Sequence, residues 1–270
     1  MNVLRLAAVG DNCVDRFRPP VSQVLIGGNA LNVAAQCAMA GHESWYFGAV
    51  GPDTAGEATR EALAAKNVCL DHLVTLPGET AYTDIAVEPS GERVFLLEEF
   101  GVCRGYRPDE AARKALLGMD HVHIGWLDDG GALRRWLVEA GVSCSQDLSI
   151  NIAPEHLGVE GLEVAFRSGG DAADPRQLAV AMLAGGARLA VVTRGARGAY
   201  GLSATGEEAQ VPAVPITPVD TTGAGDSFIA AFLIAHRAGQ RLHEALLAGC
   251  AQAARTCAHA GGFPQVPGRF

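Results

Sequence analysis

Apolar residues fall in short runs, most of them closed by glycine, and the runs alternate between two kinds. Residues 4–9 are almost continuously apolar and stop at Gly10, which predicts a buried first strand. Residues 29–40 are small and mostly apolar, and Gly41 stands where a C-cap belongs, which predicts a helix. Residues 45–50 predict a second strand, and Gly51-Pro52-Asp53-Thr54-Ala55-Gly56 a turn opening a helix near 56–66. From His121 the rhythm resumes, with strands at 122–125, 142–147 and 189–193 and helices at 132–140, 177–184, 227–238 and 243–258. Strand–helix alternation at this spacing implies an α/β fold, a mostly parallel sheet covered by helices on both faces.

One stretch breaks the rhythm. Residues 80–88 alternate, Pro89-Ser90-Gly91-Glu92 makes a turn, and 93–98 continues the alternation. This predicts a β-hairpin set apart from the main sheet. With no repeat and no linker, residues 1–270 read as one domain with a small lid contributed mainly by about 80–98.

Composition narrows the function classes. Apolar residues make up 49% of the 270 positions, enough for a substantial core. The formal charge of −9 and the lack of a basic run argue against nucleic acid and anionic membranes as partners. The seven scattered cysteines include no Cys-x-x-Cys and predict buried thiols in a reducing compartment. The apolar start is too short for a signal peptide and no run reaches membrane-spanning length, so a cytoplasmic protein is expected.

The sharpest chemical signal is Asp220-Thr221-Thr222-Gly223-Ala224-Gly225-Asp226-Ser227-Phe228. Two glycines around an alanine let the backbone approach a ligand closely, just before an amphipathic helix. The unpaired N–H groups of that helix's first turn and its dipole favour an anion. Asp226 stands beside them. An anion hole next to a carboxylate suits phosphoryl transfer to a hydroxyl, although an isolated Asp at a helix start is more often only a cap. Two further segments shift that balance. Gly27-Gly28-Asn29-Ala30-Leu31-Asn32-Val33-Ala34 places two amides three residues apart on one helix face, which suits a polyhydroxyl ligand. Val191-Val192-Thr193-Arg194-Gly195-Ala196-Arg197-Gly198 runs a strand into glycines, a frequent setting for nucleotide phosphates.

In this order the three segments resemble the signatures of the ribokinase family, also called the PfkB sugar kinases. Gly10-Asp11-Asn12-Cys13-Val14-Asp15 and the Gly51-x-Asp53-x-x-Gly56 turn extend the resemblance over roughly the whole chain. It implies a ribokinase-like fold with a small β lid. It also implies an ATP-dependent kinase that phosphorylates a hydroxyl of a sugar or sugar derivative. Asp226 is then the general base, and Gly223, Ala224 and Gly225 the anion hole. Asp15, Gly28, Asn29 and Asn32, with Asp11 as a weaker member, contact the substrate. Thr193, Gly195 and Gly198 line the nucleotide site, with Cys250 and Ala253 toward the base. Mg²⁺ arrives with ATP, and Asp220 and Thr222 would contribute to a K⁺ site. The lid in such proteins closes over the sugar and in some pairs with a second subunit, so a homodimer through the lid is an expectation.

The chain departs from the family's Asn-x-x-Glu motif. The nearest match is Ser168-Gly169-Gly170-Asp171, with Asp171 as the carboxylate reaching Mg²⁺ through water. Among competing readings, a dinucleotide-binding dehydrogenase needs Gly-x-Gly-x-x-Gly after the first strand, which is absent. P-loop and protein kinases need a particular lysine, and neither Lys66 nor Lys114 has the context. A free-sugar or nucleoside kinase, and a non-catalytic sugar sensor on the same fold, stay open. Within the family the chain looks most like the fructoselysine 6-kinases, which phosphorylate the 6-hydroxyl of a fructosamine.

Overall fold

The computed structural model describes residues 2–88, 93–151, 153–170 and 173–269. The chain opens with strands β1 (Arg5–Val9), β2 (Cys13–Phe17) and β3 (Gln23–Gly27), then helix α1 (Asn29–Met39). Strand β4 (Glu43–Val50), helix α2 (Thr54–Ala64) and the short β5 (Leu73–Thr75) follow, before β6 (Tyr82–Val87) and β7 (Arg93–Glu99). Next come α3 (Glu110–Leu116), β8 (His121–Ile124), α4 (Ala132–Glu139), β9 (Cys144–Asp147) and β10 (Val164–Ser168). Helix α5 (Pro175–Ala184) leads to β11 (Leu189–Thr193), β12 (Ala199–Ser203) and β13 (Glu208–Val211). Helices α6 (Ala224–Arg237) and α7 (Leu242–Thr256) and a two-residue strand β14 (Gly268–Arg269) complete the order.

Nine strands form the main sheet in the order β13-β12-β11-β10-β9-β8-β1-β4-β5. It is parallel except at one edge, where β12 runs antiparallel to both β11 and β13. Strand β1 shows why it is covered on both faces. Leu6 and Ala8 enter one core, with Val33, Phe166, Phe228 and Phe232. Ala7 and Val9 enter the other, with Val122, Leu133, Leu137 and Met182. Each fully buried phenylalanine among these contributes about 2–3 kcal/mol of burial. The first core packs α1 against α6 and α7, and so fixes where the N-termini of α1 and α6 point.

The lid is larger than the predicted hairpin. It is a five-stranded sheet in the order β14-β3-β2-β6-β7, so residues 13–17, 23–27 and 268–269 join it. The turn proposed at Pro89-Ser90-Gly91-Glu92 lies outside the described residues. β2 pairs with β6 in parallel, a contact far apart in sequence that local patterning does not announce. Gln265 clamps the chain end to this sheet: its Oε1 accepts from Ile26 N–H at 2.7 Å and its Nε2 donates to Ile26 C=O at 2.8 Å. The lid is tied to the main sheet through the Gly51-x-Asp53-x-x-Gly56 turn. Asp53 accepts from Gly56 N–H (2.8 Å), Thr80 N–H (2.8 Å) and Thr80 Oγ1 (2.6 Å), capping α2 and holding the start of β6 together. No helix among the described residues is long and apolar enough to cross a membrane.

Candidate active site

The N-termini of α1 and α6 meet above the carboxyl ends of β1, β8 and β9, where parallel sheets usually bind ligands. Gly28 (φ 112°) and Gly223 (φ 72°) lead into the two helices in conformations that a side chain resists. A Cβ on Gly223 would stand 2.3 Å from Gly262 Cα, and one on Gly28 would stand 2.5 Å from Asn12 Cα. Gly225, in the first turn of α6, instead faces open space. That opening beside orphan helix N–H groups is a cradle for an anion.

Asp226 sits at this opening. As a residue it is half-buried, and its carboxylate turns inward onto α1. Asn29 Nδ2 donates to Oδ1 at 2.6 Å and Asn32 Nδ2 to Oδ2 at 2.7 Å. The two amides predicted to bind a polyhydroxyl ligand therefore also grip the carboxylate. Two more carboxylates lie near. Asp147, at the end of β9, accepts from Asn29 Nδ2 (3.1 Å) and from Ser149 N–H (2.9 Å). Asp11, after β1, accepts from the N–H groups of Asn29 (2.7 Å), Ala30 (3.3 Å) and Trp126 (2.9 Å). Withdrawal from water pushes Asp226 up to about 8, opposed by the Asn32 and Asn29 amides and reinforced by Asp147 and Asp11. Burial also raises Asp147 and Asp11. A carboxylate poised near neutral pH, with its lone pairs oriented, is suited to taking a proton.

On the lid side, Asp15 lies across from Asn32, both about 3.8–3.9 Å from the Cβ position of Gly27. Cys13 Sγ lies 3.0 Å from Thr83 Oγ1, which joins the floor of the cleft to β6.

The pfkB family carbohydrate kinase model matches residues 18–125 and 159–267. A fructoselysine 6-kinase of Escherichia coli (strain K12) is 33% identical over 96% of this chain and 99% of its own. A fructosamine kinase of Bacillus subtilis (strain 168) is 33% identical over 96% of this chain and 93% of its own. Among solved structures, Arabidopsis thaliana ribokinase complexed with ribose and ATP superposes with a TM-score of 0.84. Its identity is 20%, covering 98% of this chain and 96% of that one. The chain belongs to the pfkB family of carbohydrate kinases. It is an ATP-dependent small-molecule kinase of the ribokinase/PfkB superfamily.

The kinase places its other predicted site residues unevenly. Thr193 ends β11, half-buried, and Gly195 (φ 52°) is exposed with open space around it, so both can meet a nucleotide. Gly198 (φ 86°) is buried, and a Cβ there would meet Val211 C=O, so its lack of a side chain serves packing against β13. Cys250 is buried in the core shared by α6 and α7, and Ala253 is half-buried against it. Asp220 is buried and braces the loop before α6, accepting from Thr222 N–H and Gly261 N–H at 2.8 Å each. Ser168 ends β10, and Asp171 lies outside the described residues. Among the described residues, no group of three or more His, Cys, Asp or Glu side chains is arranged to hold a metal ion. Sequence reasoning missed Asp147; the signal available was a lone carboxylate closing a buried strand.

Proposed function

We propose that the kinase transfers the γ-phosphoryl group of ATP to a hydroxyl of a fructosamine, with Asp226 as general base. The observation that carries this is the Asp226 carboxylate, gripped by Asn29 and Asn32 beside the open first turn of α6. In this reading Asp226 takes the proton of the acceptor hydroxyl, whose oxygen forms a bond to the γ-phosphorus. The bond from that phosphorus to its bridging oxygen breaks, and ADP leaves with the electron pair. The backbone of Gly223, Ala224 and Gly225 faces the charge on the moving group. Asp15, Gly28 and Asn32 lie on the acceptor side, and Thr193 and Gly195 on the nucleotide side. Bound Mg²⁺ would neutralise phosphate charge. Asp220 and Thr222 would flank K⁺ if the enzyme uses it, which replacing K⁺ by tetramethylammonium tests. The likeness to a fructoselysine 6-kinase and a fructosamine kinase over nearly the full chain supports a fructosamine acceptor.

An ATP-consumption screen across fructosamines, free sugars and nucleosides tests the reading, with Asp226→Asn as control. A fructosamine should give the highest kcat/KM. Preference for a free sugar or nucleoside would reassign the acceptor, and no turnover with any acceptor would favour a sugar sensor.

The outer edge of the lid supports a second copy of the chain as partner. β7 is the last strand of its sheet and exposes Phe95 (70%), Leu96 (56%) and Leu97 (44%). A bare apolar edge of this kind is ordinarily covered.

A further inference from the structure

Beneath the site, the centre of a doubly covered parallel sheet carries four polar side chains where aliphatic residues are usual. His121 and His123 alternate on β8, Ser143 precedes β9 and Ser145 lies within it, and His123 stands opposite Ser145 in register. Both histidines and Ser145 are almost fully buried. Unpaired, each would be costly, yet every ring nitrogen has a partner. Ser143 Oγ lies 2.8 Å from His121 Nδ1, and His121 Nε2 lies 2.8 Å from Ser145 Oγ. Ser145 Oγ lies 2.9 Å from His123 Nδ1, and His123 Nε2 lies 3.3 Å from Asn29 Oδ1.

The proton positions follow from the far end. Asn29 Nδ2 donates to oxygens of Asp226 and Asp147, as it must once Asp226 is ionised to act as base, and this leaves Oδ1 to accept. His123 then carries its proton on Nε2, leaving Nδ1 to accept from the Ser145 hydroxyl. Ser145 has spent its one proton, so its oxygen accepts from Nε2–H of His121, whose Nδ1 accepts from Ser143. We infer that His123, held in one tautomer by Ser145 and His121, is a positioning residue that keeps the Asn29 amide turned with its donor toward Asp226. Burial supports this, since it lowers His123 to about 3 and keeps both rings neutral. The His123 ring is also fixed edge-on by Phe166 at 6.2 Å.

Without the His123 donor, the Asn29 amide can turn over and present its oxygen to Asp226. The charged groups that raise Asp226 are Asp147 from β9 and Asp11 from the turn after β1, while His236 and Arg237 of α6 act on His121; Asp15 lies on the lid side, near Asn32.

The role rests on Asp226 being the base, so two readouts are used. In wild-type enzyme labelled with ¹⁵N-histidine, NMR needs no turnover. Both buried rings should show Nε2–H and stay neutral from pH 8 to 5; an Nδ1–H ring at His123, or titration in that range, overturns the inference. The second readout is the pH profile of kcat/KM. His123→Leu should move the acidic limb up by about one unit and lower kcat about tenfold at pH 7, with the KM for ATP unchanged. His123→Gln, whose amide can still donate to Asn29, should restore the limb. An unmoved limb in a folded His123→Leu protein, or equal defects in both variants, would mean that His123 only packs. If instead Asp226→Asn keeps near-normal turnover, the base assignment fails while the tautomer result stands.

Discussion

At the scale of single residues, the proposed chemistry rests on Asp226. Asp226→Asn should lower turnover by ~10²–10⁴-fold while ATP binding, measured by calorimetry, stays within about twofold. Near-normal turnover would sink the assignment. Because burial raises Asp226 to about 8, the free enzyme should gain kcat/KM as pH rises through about 8. Stability runs the other way. A carboxylate whose folded pKa is raised binds more proton than the unfolded chain between about 4 and 8, so its contribution falls as pH rises across that window. The melting temperature of Asp226→Asn relative to wild type should therefore climb between pH 5 and 9. A constant difference would show that the carboxylate titrates normally. Asn29, Asn32 and Asp226 were legible because their motifs combine glycines with polar residues at helix starts. Asp147 and His123 were not, since a strand-end carboxylate or a buried imidazole gains meaning only from neighbours on other strands.

At the scale of elements, helices and central strands could be read from periodicity because apolar runs closed by glycine report burial directly. The lid could not. Cys13-Val14-Asp15-Arg16-Phe17 turns charged residues to a cleft and to Asp84, which Arg16 Nε reaches at 2.7 Å, so its pattern resembles a loop. Its partner β6, and β14, which pairs with the neighbouring β3, lie far along the chain. Gly198 is a second case, where a glycine that looks like a phosphate contact serves packing. Gly198→Ala should destabilise the fold by about 2–3 kcal/mol through its left-handed backbone and the clash with Val211. An unchanged melting temperature with a raised KM for ATP would return Gly198 to the nucleotide site. Asp53→Ala should cost about 2–3 kcal/mol, one part from the lost α2 cap and the rest from unpairing Thr80. Amide exchange at Thr80, at the start of the lid strand β6, should speed up more than exchange in the main sheet. Equal exchange would mean that the turn does not hold the lid.

At the scale of the whole molecule, the question is what covers β7. Its neighbours in the lid bury Phe17, Leu25 and Ile85 as a small core of their own, while Phe95, Leu96 and Leu97 gain nothing from that core. Three large apolar side chains on an unpaired edge invite another strand. Leu96 is bulged out between the β6 partners of Phe95 and Leu97, and a second copy laid antiparallel on this segment would bring the apolar side chains of both copies together in a self-complementary contact that closes on itself. Sedimentation equilibrium should then show a dimer, and Phe95→Asp with Leu97→Asp should return it to monomer with the main sheet intact by circular dichroism. Hydrogen exchange separates this from lid closure. In the dimer, β7 amides should be protected without ligand, whereas residues 82–87 of β6 should gain protection only when a saturating acceptor is added. A wild-type monomer at all concentrations would leave β7 a free edge, and unchanged β6 exchange with acceptor bound would mean that the lid does not close on it.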